Sequence, residues 1–232
     1  MKIIAHRGAE AYAPENTFAS FDLAIRLRSD GIETDVQKTS DGQLVLFHDL
    51  TLERTTNGSG VLQEKTWQEI KDLDAGSWFN KKFSNERIPL LKDYLERFGY
   101  KTHTDIEIKQ EGIEDDVLDL VRKNDLLGEV TFTSFYFETI ANIKKKEKNA
   151  RVGWLINDFT EVTIQKTLDA KMDQISPPAV SLSKELVAVC HSYGLFIRVW
   201  GATNDKLIRH AIDMGADGMT VATPDFLNRL LN

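Results

Sequence analysis

The sequence predicts an α/β protein, a closed (β/α)8 barrel (TIM barrel) that forms a single domain over residues 1–232. Short apolar runs typical of strands alternate with segments of helical periodicity, which favours a mainly parallel sheet covered by helices. The nine runs average one strand–helix unit per about 26 residues, a spacing that suits an eightfold barrel better than an open sheet. Hydrophobic residues make up 41% of the chain, enough to bury one large core.

The nine apolar runs are the candidate strands. In chain order they span residues 2–5, 31–36, 43–47, 105–108, 130–135, 152–156, 173–176, 195–200 and 218–222. Because a barrel of this type needs eight strands, we expect the ninth run to be a hairpin partner, or two runs to form one strand pair near residues 31–47. No linker divides the chain.

Four of the intervening segments carry apolar residues at clear helical spacing. The sets are Phe18, Phe21 and Ile25; Leu118 and Val121; Leu182, Leu186 and Val189; and Leu207, Ala211 and Met214. They predict helices after the first, fourth, seventh and eighth runs, as a barrel requires.

Segment 57–90 is the one irregular region. It follows the run that leads into His48, and it contains Gly, Asn and two Trp residues. We interpret it as a small insertion packed over the barrel mouth. Its aromatic residues, Trp67, Trp78, Phe79 and Phe83, are expected to form the insertion's own core, with an apolar, lipid-seeking surface as the alternative.

Composition limits the partners. The net charge is −7 and no basic tract is present, so nucleic acid is not an expected partner. No apolar run approaches the roughly 18 residues of a membrane span, and the chain opens on a strand rather than a signal peptide. The single cysteine, Cys190, excludes an internal disulfide and a multi-thiolate metal site, and its helical context indicates packing. We expect a cytoplasmic monomer or homodimer.

Ionisable residues end or interrupt four of the predicted strands. They are His6 and Arg7 after the first run, Glu33 and Asp35 in the second, His48 after the third, and Glu107 and Lys109 at the fourth. Residues two apart on a strand face the same side, so each pair at i, i+2 points together. Any one of these groups alone would be an ordinary structural or surface charge. Because parallel strand ends meet at one face of a barrel, their coincidence favours a site there.

The residue types indicate the chemistry. Glu33, Asp35 and Glu107 supply three hard oxygen donors, which suit one Mg²⁺ or Ca²⁺ ion rather than zinc. Arg7 and Lys109 add positive charge that favours a phosphoryl group.

Two histidines complete the set. His6 and His48 can divide the acid and base steps, one taking a proton from the nucleophile and the other giving one to the leaving group. Together with the cations and the carboxylates, they predict phosphodiester cleavage.

The chain also resembles a known family, the glycerophosphodiester phosphodiesterases. The matching motifs, in order, are HRG (6–8), PENT (14–17), ETD (33–35), DG (41–42), HD (48–49), RTTNGSG (54–60), LDAGSWF (73–79), IP (88–89), IEIK (106–109) and TSF (133–135). The resemblance implies a TIM barrel of the phospholipase C-like phosphodiesterase type, with a small insertion after the second strand that fits 57–90. It implies hydrolysis of a glycerophosphodiester, such as glycerophosphocholine or glycerophosphoethanolamine, to an alcohol and glycerol 3-phosphate.

The resemblance also implies roles for residues at matching positions. His6 and His48 match the acid–base pair, Glu33, Asp35 and Glu107 match the divalent-metal ligands, and Arg7 and Lys109 match phosphate contacts. Trp200 matches an aromatic residue on the glycerol side of the pocket. Ser134 and Phe135 are expected to support the site from behind, and Glu15 and Asn16 to brace the first loop and cap the first helix.

Two stretches depart from the family pattern. Residues 200–203 read WGAT where the family usually has WTVN, and Val221 and Ala222 stand where it usually has Thr and Asp. These departures leave the expected ligands intact and concern specificity. Alternatives are a lysophospholipase D-like enzyme acting on lysolipids or sphingolipids and, in another class, a catalytically silent barrel that binds phosphoesters.

Overall fold

The chain folds into a closed barrel of eight parallel strands, as predicted. This computed structural model describes residues 1–231, so Asn232, the last residue of the predicted domain, lies outside the described part. The barrel strands are β1 (Lys2–Ala5), β2 (Gly31–Lys38), β4 (His103–Ile108), β5 (Val130–Ser134), β6 (Arg151–Leu155), β7 (Gln174–Ser176), β8 (Phe196–Val199) and β9 (Gly218–Val221). Each pairs with the next in this order, and β1 pairs with both β2 and β9, which closes the ring.

The ninth predicted run is a hairpin partner. Strand β3 (Leu44–Leu46) pairs antiparallel with the end of β2, with Val36 opposite Leu46. The expectation of one strand pair near residues 31–47 is therefore confirmed. This hairpin matters for the site, because it returns the chain to the mouth, the barrel end formed by the carboxyl ends of the strands.

Helices cover the outside of the barrel, and one further short helix lies in segment 57–90. They are α1 (Phe18–Arg26), α2 (Trp67–Ile70), α3 (Leu91–Phe98), α4 (Glu114–Lys123), α5 (Phe137–Lys146), α6 (Glu161–Asp169), α7 (Lys184–Ser192), α8 (Asp205–Met214) and α9 (Pro224–Leu231). The four helical spacings fall on α1, α4, α7 and α8, except that Leu182 precedes α7. The Ser183 side chain accepts a hydrogen bond from the Leu186 N–H and starts the helix after it. Leu182 is still buried, in the same cluster as Val187 one turn into the helix.

Apolar packing lies mainly between the barrel and its helices, in two clusters that divide the circumference. Cys190 is fully buried in one of them, which agrees with its predicted packing role. The barrel interior is more polar. Arg198 on β8 and Asp105 on β4 are both buried, and Arg198 Nε lies 3.8 Å from Asp105 Oδ1. Since β8 and β4 are not neighbours in the ring, this ion pair crosses the inside of the barrel.

The irregular segment after β3 has its own small core. It is aliphatic apart from Phe47, comprising Val45, Phe47, Leu52, Leu62, Ile70, Ala75, Ile88 and Leu90. The four predicted aromatic residues are not its fully buried members, but they do pack, and Phe79 contacts Phe83 edge-on. Trp67 packs against the cluster, but Trp78 is 41% exposed and contacts Phe79 at its edge. Within residues 1–231, no helix has the length and apolarity needed to cross a bilayer.

Candidate active site

The candidate site residues meet at the mouth of the barrel. A cavity of about 660 Å³ opens there, and it is lined by seven of the eight predicted residues: His6, Arg7, Glu33, His48, Glu107, Lys109 and Trp200. The eighth, Asp35, lies directly behind the wall with 1% of its surface exposed. Strand ends β1, β2, β4 and β8 and the β3 turn each contribute to this cavity.

The His-Arg-Gly turn after β1 has a specific backbone. Arg7 has φ 49° and Gly8 has φ 81°, both in the left-handed region. Gly8 packs so closely on α1 that a Cβ there would lie 2.5 Å from Ser20 Oγ. Ser20 Oγ in turn donates to the Arg7 carbonyl at 2.9 Å. The turn therefore holds His6 and Arg7 at the mouth, and Gly8 is required for its close approach to the helix.

The three predicted metal ligands form one cluster. Glu33, Asp35 and Glu107 each place a carboxylate oxygen within 4.8 Å of the others. The cause is the sheet register: Glu33 and Asp35 alternate on β2, and Asp35 is paired with Glu107 on the neighbouring strand β4. Glu33 Oε1 is buried and has no hydrogen-bond donor among the residues that the structure describes. Such a set of hard oxygen atoms fits a divalent cation of the Mg²⁺ or Ca²⁺ kind.

The pKa values of the two buried carboxyl groups of β2 are shifted in opposite directions. Burial, together with the nearby charges of Asp35 and Glu107, raises the pKa of Glu33 to about 8. Burial would also raise the pKa of Asp35, but Arg7, His48 and Lys109 hold it below its ordinary value. Asp35 is therefore ionised through its cations, whereas Glu33 faces mainly like charge.

Each histidine is oriented by a carboxylate. His6 Nδ1 lies 2.5 Å from Glu10 Oε1, and His48 Nδ1 lies 2.7 Å from Asp49 Oδ1. A carboxylate accepts, so this network assigns the proton to Nδ1 in both rings and leaves Nε2 for chemistry. Burial acts to lower the pKa of His6, but the Glu10 hydrogen bond and the Glu33 charge raise it above its ordinary value.

The turn that carries His48 is held by a buried glutamine that lies outside the sequence motifs. Gln37 Nε2 donates toward the carbonyls of Phe47, His48 and Asp49 at 3.0, 3.2 and 2.7 Å. Gln37 is 2% exposed on β2. The sequence does carry a signal for this residue, because Gln37 continues the alternation of polar residues that Glu33 and Asp35 begin on β2.

The two predicted phosphate contacts are already paired with the ligand carboxylates. Arg7 Nε lies 3.2 Å from Asp35 Oδ2, and Lys109 Nζ lies 2.9 Å from Glu107 Oε1 and 3.8 Å from Asp35 Oδ1. Burial would lower the pKa of Lys109, but these two carboxylates raise it. Both cations line the cavity, so an anionic group bound at the carboxylate cluster would meet them.

The PENT segment braces the site, but Asn16 does not cap α1. Thr17 is the cap, and its side chain accepts from the Ser20 N–H. Asn16 instead donates to Asp35 Oδ2 at 2.8 Å and accepts from Thr34 Oγ1 at 2.7 Å. Glu15 accepts from Arg7 Nη1 at 2.8 Å. Both side chains therefore orient site residues, and the helix cap lies one residue later than expected.

Aromatic and small residues form the opposite wall of the cavity. Trp200 donates from Nε1 to the Ser176 carbonyl at 3.0 Å and packs edge-on against Phe135. Phe135 lines the cavity directly, so the expectation that it acts only from behind is wrong; Ser134 does support the turn, donating to the Ile108 carbonyl at 2.7 Å. The departures from the family pattern lie on this wall: Gly201, Ala202, Thr203, Val221 and Ala222.

Comparison with known sequences gives a consistent result. The profile of the glycerophosphoryl diester phosphodiesterase family matches residues 6–226. A glycerophosphodiester phosphodiesterase of Caldanaerobacter subterraneus is 35% identical over 235 residues, covering 99% of this chain and 97% of that protein. One from Bacillus subtilis is 31% identical over 252 residues, covering 98% of this chain and 85% of that protein.

The fold is also similar to that of solved phosphodiesterase structures. A phosphodiesterase of Oleispira antarctica, in complex with the product sn-glycerol-3-phosphate, superposes with a TM-score of 0.90 at 25% identity and covers 100% of this chain and 96% of that one. A glycerophosphodiester phosphodiesterase of Agrobacterium tumefaciens superposes with a TM-score of 0.87 at 30% identity, covering 99% of both chains. The chain belongs to the glycerophosphoryl diester phosphodiesterase family.

Proposed function

We propose that this hydrolase cleaves glycerophosphodiesters, the deacylated phospholipids, to an alcohol and glycerol 3-phosphate with the help of one divalent cation. The observation that carries the proposal is the meeting of three clustered carboxylates, two cations and two carboxylate-oriented histidines in and directly behind the wall of a single cavity. That combination serves a phosphodiester and suits few other substrates. The presence of every expected group favours catalysis over a silent phosphoester-binding barrel.

The carboxylate cluster is the proposed cation site, with Glu33, Asp35 and Glu107 as ligands. A bound Mg²⁺ or Ca²⁺ would supply positive charge for the phosphoryl oxygens. Arg7 and Lys109 add fixed positive charge at the same end of the cavity, so charge that develops on those oxygens in the transition state is stabilised. Asn16, which donates to Asp35, and the backbone N–H of Arg7, which donates to Glu33 Oε2 at 3.0 Å, hold two of the three carboxylates in place.

The two histidines are proposed to move the protons. With Nδ1 bound to Glu10 or Asp49, each ring presents Nε2 to the cavity. One ring takes a proton from the attacking oxygen, and the other gives one to the departing alkoxide. The carboxylate behind each ring stabilises its imidazolium form as the proton arrives, as in other histidine–carboxylate pairs.

We propose that the wall around Trp200 binds the glycerol end or the alcohol end of the substrate, with contacts to the faces and edges of its aromatic rings. The family's usual Thr and Asp are replaced by Val221 and Ala222 here, so this wall offers apolar contact in place of a hydroxyl and a carboxylate. We expect this chain to favour headgroups that need no carboxylate partner.

We propose that residues 1–232 act as one domain, with 57–90 as a small insertion beside the mouth. The chain is proposed to work in the cytoplasm, as a monomer or homodimer in lipid and glycerol metabolism. Its single cysteine, free and buried, is compatible with a reducing compartment.

The primary test is release of glycerol 3-phosphate from glycerophosphocholine and glycerophosphoethanolamine. Metal-stripped protein is assayed with Mg²⁺, with Ca²⁺ or with neither, beside Glu33→Gln and a matched control, Glu111→Gln. Glu111 is an exposed carboxylate on the loop after β4. We expect release that needs metal, is lost in Glu33→Gln and is kept in Glu111→Gln. Metal-independent release, or full activity in Glu33→Gln, would contradict the proposed cation site.

A second test assigns the histidines. His6→Ala and His48→Ala are each expected to lose about 10²–10⁴ in rate on glycerophosphocholine. On a glycerol 3-phosphate ester of p-nitrophenol, whose leaving group needs no proton, the variant lacking the general acid should recover and the variant lacking the base should not. Full activity of either variant on glycerophosphocholine would remove that histidine from the mechanism.

The lysolipid alternative is tested in the same assay. Phe135, 38% exposed at the cavity, and the apolar wall beside it are the features that could accept an acyl chain. Faster turnover of lysophosphatidylcholine than of glycerophosphocholine would favour the lysophospholipase D-like activity. Binding of glycerol 3-phosphate without turnover of either substrate would indicate the silent barrel.

A further inference from the structure

One motif of the sequence remains without a role in the proposed chemistry: the RTTNGSG stretch that opens with Arg54. Arg54 lies in the loop after β3, and its side chain is 45% exposed. It does not line the cavity. Its guanidinium nevertheless makes four hydrogen bonds, all to two carboxylates that contact site residues.

The guanidinium forms two forks. Toward Asp49, Nε donates to Oδ2 at 2.5 Å and Nη2 donates to Oδ1 at 2.8 Å. Toward Glu15, Nη1 donates to Oε2 at 2.6 Å and Nη2 donates to Oε1 at 2.8 Å. Only arginine presents enough coplanar N–H groups to hold two carboxylates in this way; a lysine ammonium would reach them as a point charge without fixing their planes.

Each of the two carboxylates holds one site residue. Asp49 accepts from His48 Nδ1 at 2.7 Å, and Glu15 accepts from Arg7 Nη1 at 2.8 Å. A continuous chain of hydrogen bonds and ion pairs thus runs from His48 through Asp49, Arg54 and Glu15 to Arg7. Arg54 is the midpoint of this chain, and its positive charge lies beside both carboxylates.

The pKa values of Asp49 and Glu15 support this network of hydrogen bonds and ion pairs. Arg54 lowers the pKa of Asp49 far below the ordinary range, chiefly through its hydrogen bonds. The same guanidinium, together with Arg7, offsets the burial of Glu15 and keeps its pKa below the ordinary value. Both carboxylates are therefore ionised, which is the state that can accept from an imidazole N–H and a guanidinium at once.

We propose that Arg54 is a positioning residue that ties the acid–base histidine His48 and the phosphate-contacting Arg7 into one rigid unit. The inference rests on the proposed function, since it assigns Arg54 to the orientation of groups used in that reaction. It predicts that Arg54 acts through Asp49 and Glu15 and never touches the substrate.

The first test compares Arg54→Ala and Arg54→Lys with a matched control, Arg87→Ala. Arg87 is exposed in segment 57–90, downstream of the loop that carries Arg54, and donates to the carbonyls of Ser84 and Glu86. We expect both Arg54 variants to lose about 10–100-fold in kcat on glycerophosphocholine, by analogy with the loss seen when outer partners of metal ligands are removed. Melting temperature should change little, because the side chain is half exposed, and Arg87→Ala should keep wild-type kcat. Wild-type kcat in Arg54→Lys would overturn the proposal.

A double-variant cycle shows whether the effect passes through the histidine. If Arg54 works through Asp49 and His48, then Arg54→Ala should cost much less kcat in a His48→Ala background than in the wild type. Equal fold losses in both backgrounds would refute the coupling to His48. A loss that appears only as lower melting temperature would assign Arg54 to loop stability.

A readout without activity separates failure of this inference from failure of the proposed function. The His48 Nδ1 proton, bound to a carboxylate, should give a downfield proton resonance in the wild-type chain and in Arg87→Ala. In Arg54→Ala we expect this resonance to broaden or move, because Asp49 loses its outer partner. Inactive wild-type protein would refute the proposed function, whereas an unmoved resonance would refute the role of Arg54.

Discussion

Replacing Arg198 with methionine should strongly destabilise the barrel, because it removes the cation from an ion pair inside it. The side chains of Arg198 and Asp105 are only 3% and 2% exposed, and their closest charged atoms are 3.8 Å apart across the barrel. Burial would raise the pKa of Asp105, but Arg198 and then His103 hold it below the ordinary value. In Arg198→Met the carboxylate keeps its burial and loses its main counter-charge.

The magnitude follows from the burial of both partners. Breaking a buried pair by removing one member costs about 3–5 kcal/mol, since the remaining charge is left uncompensated. Arg198 Nη1 also donates to Thr220 Oγ1 at 2.5 Å, and losing that bond adds to the cost. For a chain of 150–250 residues, each kcal/mol corresponds to about 2–4 °C in Tm, so the expected drop is roughly 6–20 °C.

Urea and thermal unfolding of four proteins test this reasoning: the wild type, Arg198→Met, the double variant Arg198→Met/Asp105→Leu, and Arg151→Met. Arg151 is an exposed strand arginine on β6, so its replacement should change stability by less than about 0.5 kcal/mol. The double variant should recover most of the loss, because an apolar pair needs no counter-charge. If Arg198→Met were no less stable than Arg151→Met, or if the double variant were the least stable of all, the pair would not carry the energy assigned to it.

Three further outcomes are expected. A saturating divalent cation, at about 100 times its Kd, should stabilise the wild type by about 2.7 kcal/mol, seen as a rise in Tm, and Glu107→Gln should show little rise; an equal rise in both would place the ion elsewhere. Burial raises the pKa of Cys190 to about 11, so a thiol reagent at pH 8 should react only at the rate of unfolding. The contribution of this thiol to stability is fully present below the ordinary thiol pKa of about 8.5, where both states hold the proton. Stability should fall as pH rises from there towards about 11, because the unfolded chain loses its proton first. Fast labelling of native protein would contradict that burial. Asn16 has φ 52° and donates to Asp35, so Asn16→Ala should lose about 1–3 kcal/mol in urea unfolding and Asn16→Gly less, because glycine keeps the backbone unstrained; equal losses would show that only the amide matters.

The positions of the site residues were predictable because they follow from two regularities of a barrel. Parallel strand ends meet at one mouth, and residues two apart share a face, so Glu33, Asp35 and Glu107 had to lie together once their strands were identified. The ladder bears this out, pairing Asp35 with Glu107. Turn details were less accessible, since the helix cap at Thr17 depends on side-chain hydrogen bonds that any of several PENT residues could make.

The polar interior of the barrel could not be predicted in the same way. In the run LFIRVW, the neighbours of Arg198, Ile197 and Val199, are buried and apolar, and Arg198 is buried as well. The strand therefore shows no alternation of buried and exposed residues that would mark Arg198 as an interior charge. Its partner, Asp105, is distant in sequence and on a strand that is not a neighbour in the ring. Likewise, the network of Arg54 joins Glu15 and Asp49 across sequence separations of 39 and 5 residues, and only the closed fold shows that one guanidinium meets both.

The charges around β2 and β4 explain why one carboxylate of the cluster differs from the rest. Asp35 has Arg7 and Lys109 beside it, Glu107 has Lys109, and Asp105 has Arg198. For Glu33, the side-chain ion-pair partner within residues 1–231 is His6, at 4.0 Å.

Burial raises the pKa of Glu33 to about 8, and the charges of two neighbouring carboxylates add to the rise, since Glu33 has no lysine or arginine ion-pair partner among residues 1–231. A divalent cation held by Glu33, Asp35 and Glu107 would supply the positive charge that the protein's own side chains supply to every other carboxylate of this group. The charged side chains of the fold thus surround a position suited to a cation, and Arg7 and Lys109, the proposed phosphate contacts, lie beside it. Substrate and cation would then share one charge arrangement, so weakening either the cluster or its flanking cations should weaken binding of both.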